Sequence, residues 1–374
     1  MRPTALRPYG VILNGRLEVG LELVMDGEGG VEVRPHTGLP EPFIVSPAFV
    51  NAHSHLEYRG FQGTISGLPY GAWIQELTRR KREQTPDEVR RDCFVAAEEN
   101  RATGVWFIGE HSDRLGAAEA MQALGLKGHV YQEVITLIER ENPAPKLQEI
   151  EAKAIENRRL FDGEVTLSPH AYQTVDIRTL ESFAGKPISI HVAETDMENE
   201  LTRDGAGPGA EFRRAFGHPV EATGLSIVET LAHLGLVGKN VQFVHCCAVS
   251  ASDIEILVRH GVNVAHCPRS NRALGCPTAP IREMLDAGLT VGLGLDSAAS
   301  SGPIDMFAEM RAALVASAER GRPLEPEEVW QMATAGRSLT EAPLIKIHIS
   351  DAYATEDAII RGNSQRISWV IPSG

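Results

Sequence analysis

Two histidines one residue apart, His53 and His55, close the apolar run FIVSPAFVNAHSH (43–55). Side chains alternate along a strand, so both imidazoles project to one side, where they can hold one zinc-type ion. Further on, PISIHVAET (187–195) ends in His191 and Glu194, VQFVHCC (241–247) in His245, and TVGLGLDS (290–297) in Asp296. Three imidazoles and a carboxylate form a mixed nitrogen–oxygen set, which favours one divalent zinc ion, with iron(II) next, over magnesium. Glu194 and His245 beside that set match metal-assisted hydrolysis, in which the ion lowers the pKa of a water and a carboxylate moves the protons. Each residue has a plainer reading alone: His191 as a hydrogen-bonded core histidine, Asp296 as a helix N-cap. Their recurrence at the ends of successive apolar runs carries the expectation.

Something must bring those ends together. The other runs are GVWFIGEHSD (104–113), GHVYQEVITL (128–137), EVTLSPHAY (164–172) and VNVAHCP (262–268). Helical segments such as AWIQELTRRKRE, PDEVRRDCFVAAEENRATG and ASDIEILVRHG lie between runs. Near-continuous apolar strands alternating with helices indicate a parallel sheet covered on both faces. Eight such units over about 250 residues fit a TIM-like (β/α)8 barrel, which gathers its functional groups at the C-terminal strand ends. A doubly wound open sheet would want a G-x-G-x-x-G or a P-loop, and neither is present. The barrel is expected over 43–340. Residues 1–42 alternate apolar and polar in short stretches with glycine turns, as the N-terminal part of a small β domain. Residues 341–374, with a strand near RISWVI, are expected to return to it.

The chain has 374 residues, 43% hydrophobic and 23% charged, which excludes wholesale disorder. A net charge of -14 repels phosphate backbones and argues against a nucleic-acid binder. Five cysteines without C-x-x-C spacing give neither a disulfide framework nor a zinc knuckle. No apolar run reaches the roughly 18 residues of a membrane span, and the first residues lack a signal-like stretch. A cytoplasmic protein with a small-molecule partner is expected, and a homodimer is the candidate assembly.

The segments PAFVNAHSHLEYRG (47–60), SPHAYQTV (168–175), HVAET (191–195), VHC (244–246), HCPRSN (266–271) and GLGLDS (292–297) resemble the amidohydrolase superfamily. Within it they are similar to the branch of cytosine, guanine and adenosyl deaminases. The resemblance implies that His53, His55, His191 and Asp296 ligate one divalent metal. Glu194 would carry a proton to the substrate ring nitrogen and then to the leaving amine. His245 would hydrogen-bond the attacking water or the developing tetrahedral oxygen, and Asp296 would take the first proton from that water. Binuclear members bridge two metals through a lysine or carboxylate at the third or fourth strand. Here the fourth ends Ser168-Pro169-His170, which implies a single ion. After MATAGRSLT (332–340) the chain departs from the usual closing segment of the family.

Glu57, His170, Arg80 and Asn271 are candidate substrate contacts. Their plainer readings are loop-ordering hydrogen bonds and, for the run Arg79-Arg80-Lys81-Arg82, a solvated helix face with Glu76 pairing Arg80. In the sharper reading a cation of this run meets a substrate carboxylate. HSHLEY followed by GLPYGAWIQELTRRKRE resembles the aminofutalosine deaminases of menaquinone synthesis. These act on 6-amino-6-deoxyfutalosine, an adenine nucleoside bearing a carboxyphenyl ketone. Deaminases of adenosylhomocysteine, methylthioadenosine or guanine, and triazine hydrolases, would share the same metal residues. A non-catalytic metal-binding barrel would have no use for Glu194.

Overall fold

The computed structural model describes residues 4–26, 30–139, 142–349, 355–361 and 366–370. The alternating N-terminal stretches form β1 (Thr4–Leu6), β2 (Pro8–Leu13), β3 (Arg16–Val19), β4 (Leu21–Met25), β5 (Val31–Pro35) and β6 (Glu41–Pro47). Their inward positions, among them Val11, Leu23, Phe43 and Val45, make a small core of their own. Ala48 alone separates β6 from β7 (Phe49–Ser54), so the apolar run 43–55 serves two sheets. The boundary expected after residue 42 therefore falls within β6.

The remaining runs become β8 (Val105–Ser112), β9 (Lys127–Val134), β10 (Glu164–Pro169), β11 (Ile188–Val192), β12 (Val241–His245), β13 (Asn263–His266) and β14 (Val291–Leu293). They form two four-stranded sheets, β7–β8–β9–β10 and β11–β12–β13–β14, with every pairing parallel. Bridges between Ser54 and Asp296 and between Ala171 and His191 close the halves into a TIM-like barrel. Both seams lie at the C-terminal strand ends, among the residues that the sequence singled out.

On the strands, Ile108, Val130, Ile190 and Phe243 are fully buried in the main core, together with helix residues such as Ala97, Leu231 and Leu257. Phe49 packs against Phe307 and Trp330 with ring centroids 5.4 and 5.8 Å away. Local signals set the helix ends. Thr85 caps Pro86–Ala102 with a capping box and proline in the first turn. Gly261, at φ 70°, ends Ala251–His260 in the left-handed conformation that glycine accepts without penalty.

The chain returns through β15 (Leu344–His348), which pairs antiparallel with β6, and β16 (Arg366–Trp369), which pairs with β15. The C-terminal segment thus extends the N-terminal sheet, in the order β16-β15-β6-β2-β3. Residues 1–3, 27–29, 350–354, 362–365 and 371–374 of the expected small domain lie outside the described residues. Among the described residues no helix is long and apolar enough to cross a membrane.

Candidate active site

His55 and His191 reach the barrel mouth from β7 and β11, and their Nε2 atoms face each other at 3.3 Å. Each Nδ1 lies against a backbone carbonyl: His55 against His111 O at 3.0 Å, His191 against His170 O at 2.9 Å. A carbonyl only accepts, so both Nδ1 atoms carry the proton and both Nε2 atoms present bare lone pairs. Burial, followed by the neighbouring histidines, holds His53, His55 and His191 well below the usual imidazole pKa. Protonation is therefore no remedy for two lone pairs pointed at one another. A cation between them is.

The other two members of the group fit the same cation. His53 Nε2 is buried and has no hydrogen-bond partner. Asp296 Oδ1 lies 3.7 Å from His53 Nε2 and 3.9 Å from His55 Nε2. Ligands about 2.1 Å from one tetrahedral ion sit about 3.4 Å apart. Three nitrogens and a carboxylate at these spacings suit zinc or iron(II).

The backbone is bent to present these groups. Of six non-glycine residues with positive φ among the described residues, four lie here: Ala193, His245, Cys246 and Asp296. Such conformations cost of order 1–3 kcal/mol each and persist where surrounding structure imposes them. The β14 end is fixed by hydrogen bonds from Asp296 N–H to His53 O (2.9 Å) and from His55 N–H to Asp296 O (3.2 Å). Gly294 makes room: a Cβ there would stand 2.8 Å from His53 Cβ.

Glu194 follows on the same loop as His191. Burial pushes its carboxyl up to about 7, although His245 favours the charged form and Tyr70 hydrogen-bonds it. A carboxyl so placed can both give and take a proton at neutral pH. Its turn is held from within: Glu198 accepts the backbone N–H groups of Glu194 and Thr195, both at 3.2 Å. His245 Nε2 lies 3.6 Å from Glu194 Oε1. Its Nδ1 is 2.8 Å from Asn271 Oδ1, an acceptor that leaves the imidazole directed at the pocket.

Three histidines and an aspartate that could hold a metal ion, with a buried glutamate beside them, stand at the mouth of a parallel barrel, and the amidohydrolase family model fits residues 44–337. The chain belongs to the amidohydrolase family. A 5-methylthioadenosine/S-adenosylhomocysteine deaminase of Thermococcus kodakarensis is 31% identical over 340 residues, 86% of this chain and 74% of that protein. The fold is shared with an adenosine deaminase of Xanthomonas campestris with bound zinc, at TM-score 0.81 and 20% identity over 98% of this chain and 91% of that one. It is shared equally with Helicobacter pylori aminofutalosine deaminase in complex with methylthio-coformycin, at TM-score 0.79 and 18% identity over 98% of both chains.

Around this amidohydrolase centre the pocket has an apolar wall of Trp73, Ile74, Leu77 and Leu274, with His170 and Gln173 on another side. His170 donates to or accepts from Thr174 Oγ1 at 2.9 Å, and burial with nearby Lys81 lowers its pKa to about 4. Glu57 is fully buried away from the lining, between Lys81 (3.8 Å) and Arg114 (3.6 Å), and accepts the Arg114 backbone N–H. Arg80 turns outward to Glu76 at 2.7 Å. Asn271 is buried behind His245 rather than in the lining.

The cation that the run sends inward is Lys81, bound to Tyr58 Oη (2.7 Å) and Asp113 (3.0 Å). Helical phase carries the signal, since Trp73, Leu77 and Lys81 are four residues apart and share the buried face of Tyr70–Glu83. Glu133 was also missed. Its Oε1 is buried without a hydrogen-bond partner 3.9 Å from His170 Nε2, and burial raises its pKa. Its signal was a carboxylate in phase with His129 and Tyr131 along β9.

Proposed function

We propose that the protein is a metal-dependent aminohydrolase that replaces the ring amino group of an adenine nucleoside by water and releases ammonia. The observation that carries this reading is the pair of facing Nε2 lone pairs, completed by His53 and Asp296, with Glu194 alongside. A zinc ion held by His53, His55, His191 and Asp296 supplies the Lewis acidity that makes water nucleophilic at neutral pH.

This chain's own groups do the rest. Asp296 takes a proton from the attacking water. Glu194, protonated at the outset, gives its proton to the ring nitrogen, then takes the second proton of that water and passes it to the departing amine. Water and the ring amine thus become a ring carbonyl and ammonia, and the proton held by Asp296 returns to Glu194 and resets the site. His245, its Nδ1 proton held by Asn271 Oδ1, accepts a hydrogen bond from the attacking water at Nε2 and orients it. Tyr70 and the apolar wall shield these transfers from bulk water.

Within that class the substrate we propose is 6-amino-6-deoxyfutalosine, which would give the protein a place in menaquinone synthesis. Support comes from the segment HSHLEY with GLPYGAWIQELTRRKRE and from the nearly complete mutual coverage with the Helicobacter protein. A second reading, methylthioadenosine or adenosylhomocysteine, is favoured by the Thermococcus relative and by the apolar wall of Trp73, Ile74 and Leu77. Specificity constants for zinc-loaded protein on these three nucleosides and on adenosine separate the readings. Preference for aminodeoxyfutalosine by tenfold or more supports the first, preference for methylthioadenosine the second, and silence on all four overturns both.

A further inference from the structure

His55 and His191 have their tautomers fixed by carbonyls, but His53 does not. Its Nδ1 lies 3.0 Å from another imidazole nitrogen, His111 Nδ1. The rings of His53 and His111 are 4.3 Å apart at 65°. An imidazole nitrogen can donate or accept, so the direction of this bond depends on what lies beyond. Beyond it, His111 Nε2 meets Ser189 Oγ at 2.8 Å, across the barrel from β8 to β11. Gln242 Nε2 lies 2.9 Å from both that hydroxyl and Ala52 O. The Ala52 carbonyl only accepts, which fixes the amide with its NH2 toward Ser189.

His53, His111 and Ser189 are all essentially buried, so water cannot replace a missing partner. Two proton registers are open to them. In one, Ser189 donates to His111, His111 donates to His53, and the last proton sits on His53 Nε2. In the other, His53 Nδ1–H donates to His111 Nδ1, His111 Nε2–H donates to Ser189 Oγ, and His53 Nε2 is bare. The same residue also supplies the carbonyl that orients His55, so both arms of the His-x-His pair lean on His111.

We propose that His111 is a positioning residue that sets the tautomer of His53, with Ser189 as the terminal acceptor. This rests on His53 being a metal ligand. A divalent ion at His53 Nε2 selects the second register, and no proton leaves the protein in the change. Removing the acceptor for His53 Nδ1–H leaves a buried donor unpaired in the metal-bound state. Outer groups of this kind typically hold about 10- to 100-fold in metal affinity.

The test is a competition titration of metal-free protein with Zn2+ against a chromophoric chelator, for wild type, His53→Ala, His111→Phe, His111→Asn, Ser189→Ala and the double variant His111→Phe/Ser189→Ala. Thermal unfolding is followed alongside. His111→Phe is expected to bind about 10- to 100-fold more weakly. His111→Asn, whose amide oxygen can accept from His53, is expected to recover most of the loss. Ser189→Ala is expected to weaken binding too, and the double variant to be no weaker than His111→Phe alone, because both act through one chain. Equal affinity in wild type, His111→Phe and Ser189→Ala, or losses that simply add, overturns the inference even where unfolding temperatures fall. Zinc binding by wild type that His53→Ala leaves unchanged overturns the ligand assignment and the inference with it.

Discussion

At the scale of single residues, the decisive feature is the 3.3 Å approach of two nitrogens that cannot share a proton. His191→Ala is expected to lose bound zinc together with turnover, measured by metal analysis of the dialysed protein; full occupancy in that variant would refute the assignment. Glu194→Gln separates binding from chemistry. It is expected to keep its zinc and to lose about 100- to 10,000-fold in kcat, the usual worth of a positioned proton carrier. A kcat within a few-fold of wild type would remove Glu194 from the reaction. The residues of this group were legible in the sequence because strand ends of a parallel barrel converge wherever helices allow, so position on a run was enough. The candidate substrate contacts were harder to place. Arg80 and Lys81 are chain neighbours of like charge, and only the helical phase of Trp73 and Leu77 distinguishes the one that turns inward.

At the scale of elements, two short segments do the aiming. The turn after β11 carries Glu194 and is held by the Glu198 carboxylate on two backbone N–H groups. Glu198→Ala is expected to cost about 1–3 kcal/mol in unfolding free energy, since buried donors are left unpaired. It should lower kcat without changing metal stoichiometry. The end of β14 depends on a missing side chain. Gly294→Ala would push against His53 and is expected to weaken zinc binding in a chelator titration while the barrel still folds; unchanged affinity would show that the strand end can yield. Neither dependence was visible in the residue pattern. Glu198 reads as one more polar residue in an acidic helix start, and a glycine gives no hint of what would occupy its Cβ.

At the scale of the molecule, eight runs mapped onto eight barrel strands because each combined an apolar stretch with a helical partner. The single run 43–55 concealed a strand of the small sheet, because continuous burial hides the change from one sheet to the next. That sheet is tied to the barrel: Ile345 and Ile347 of β15 are fully buried, and both belong to the main core. Deleting residues 344–374 should therefore strip the open edge of β6 and lower the unfolding temperature sharply. A deletion variant with the wild-type midpoint would mean that the barrel stands alone. Phe49→Ala, at the base of β7 against Phe307 and Trp330, is expected to cost about 3–5 kcal/mol by denaturant unfolding.

The most direct test of metal-dependent deamination is ammonia release from adenine nucleosides by one protein sample in three states: as purified, stripped by chelator, and restored with one equivalent of Zn2+. The expected result is release that vanishes on stripping and returns with the single equivalent, with aminodeoxyfutalosine among the substrates turned over. Undiminished release by the stripped protein, or none from any nucleoside with zinc demonstrably bound, would contradict it.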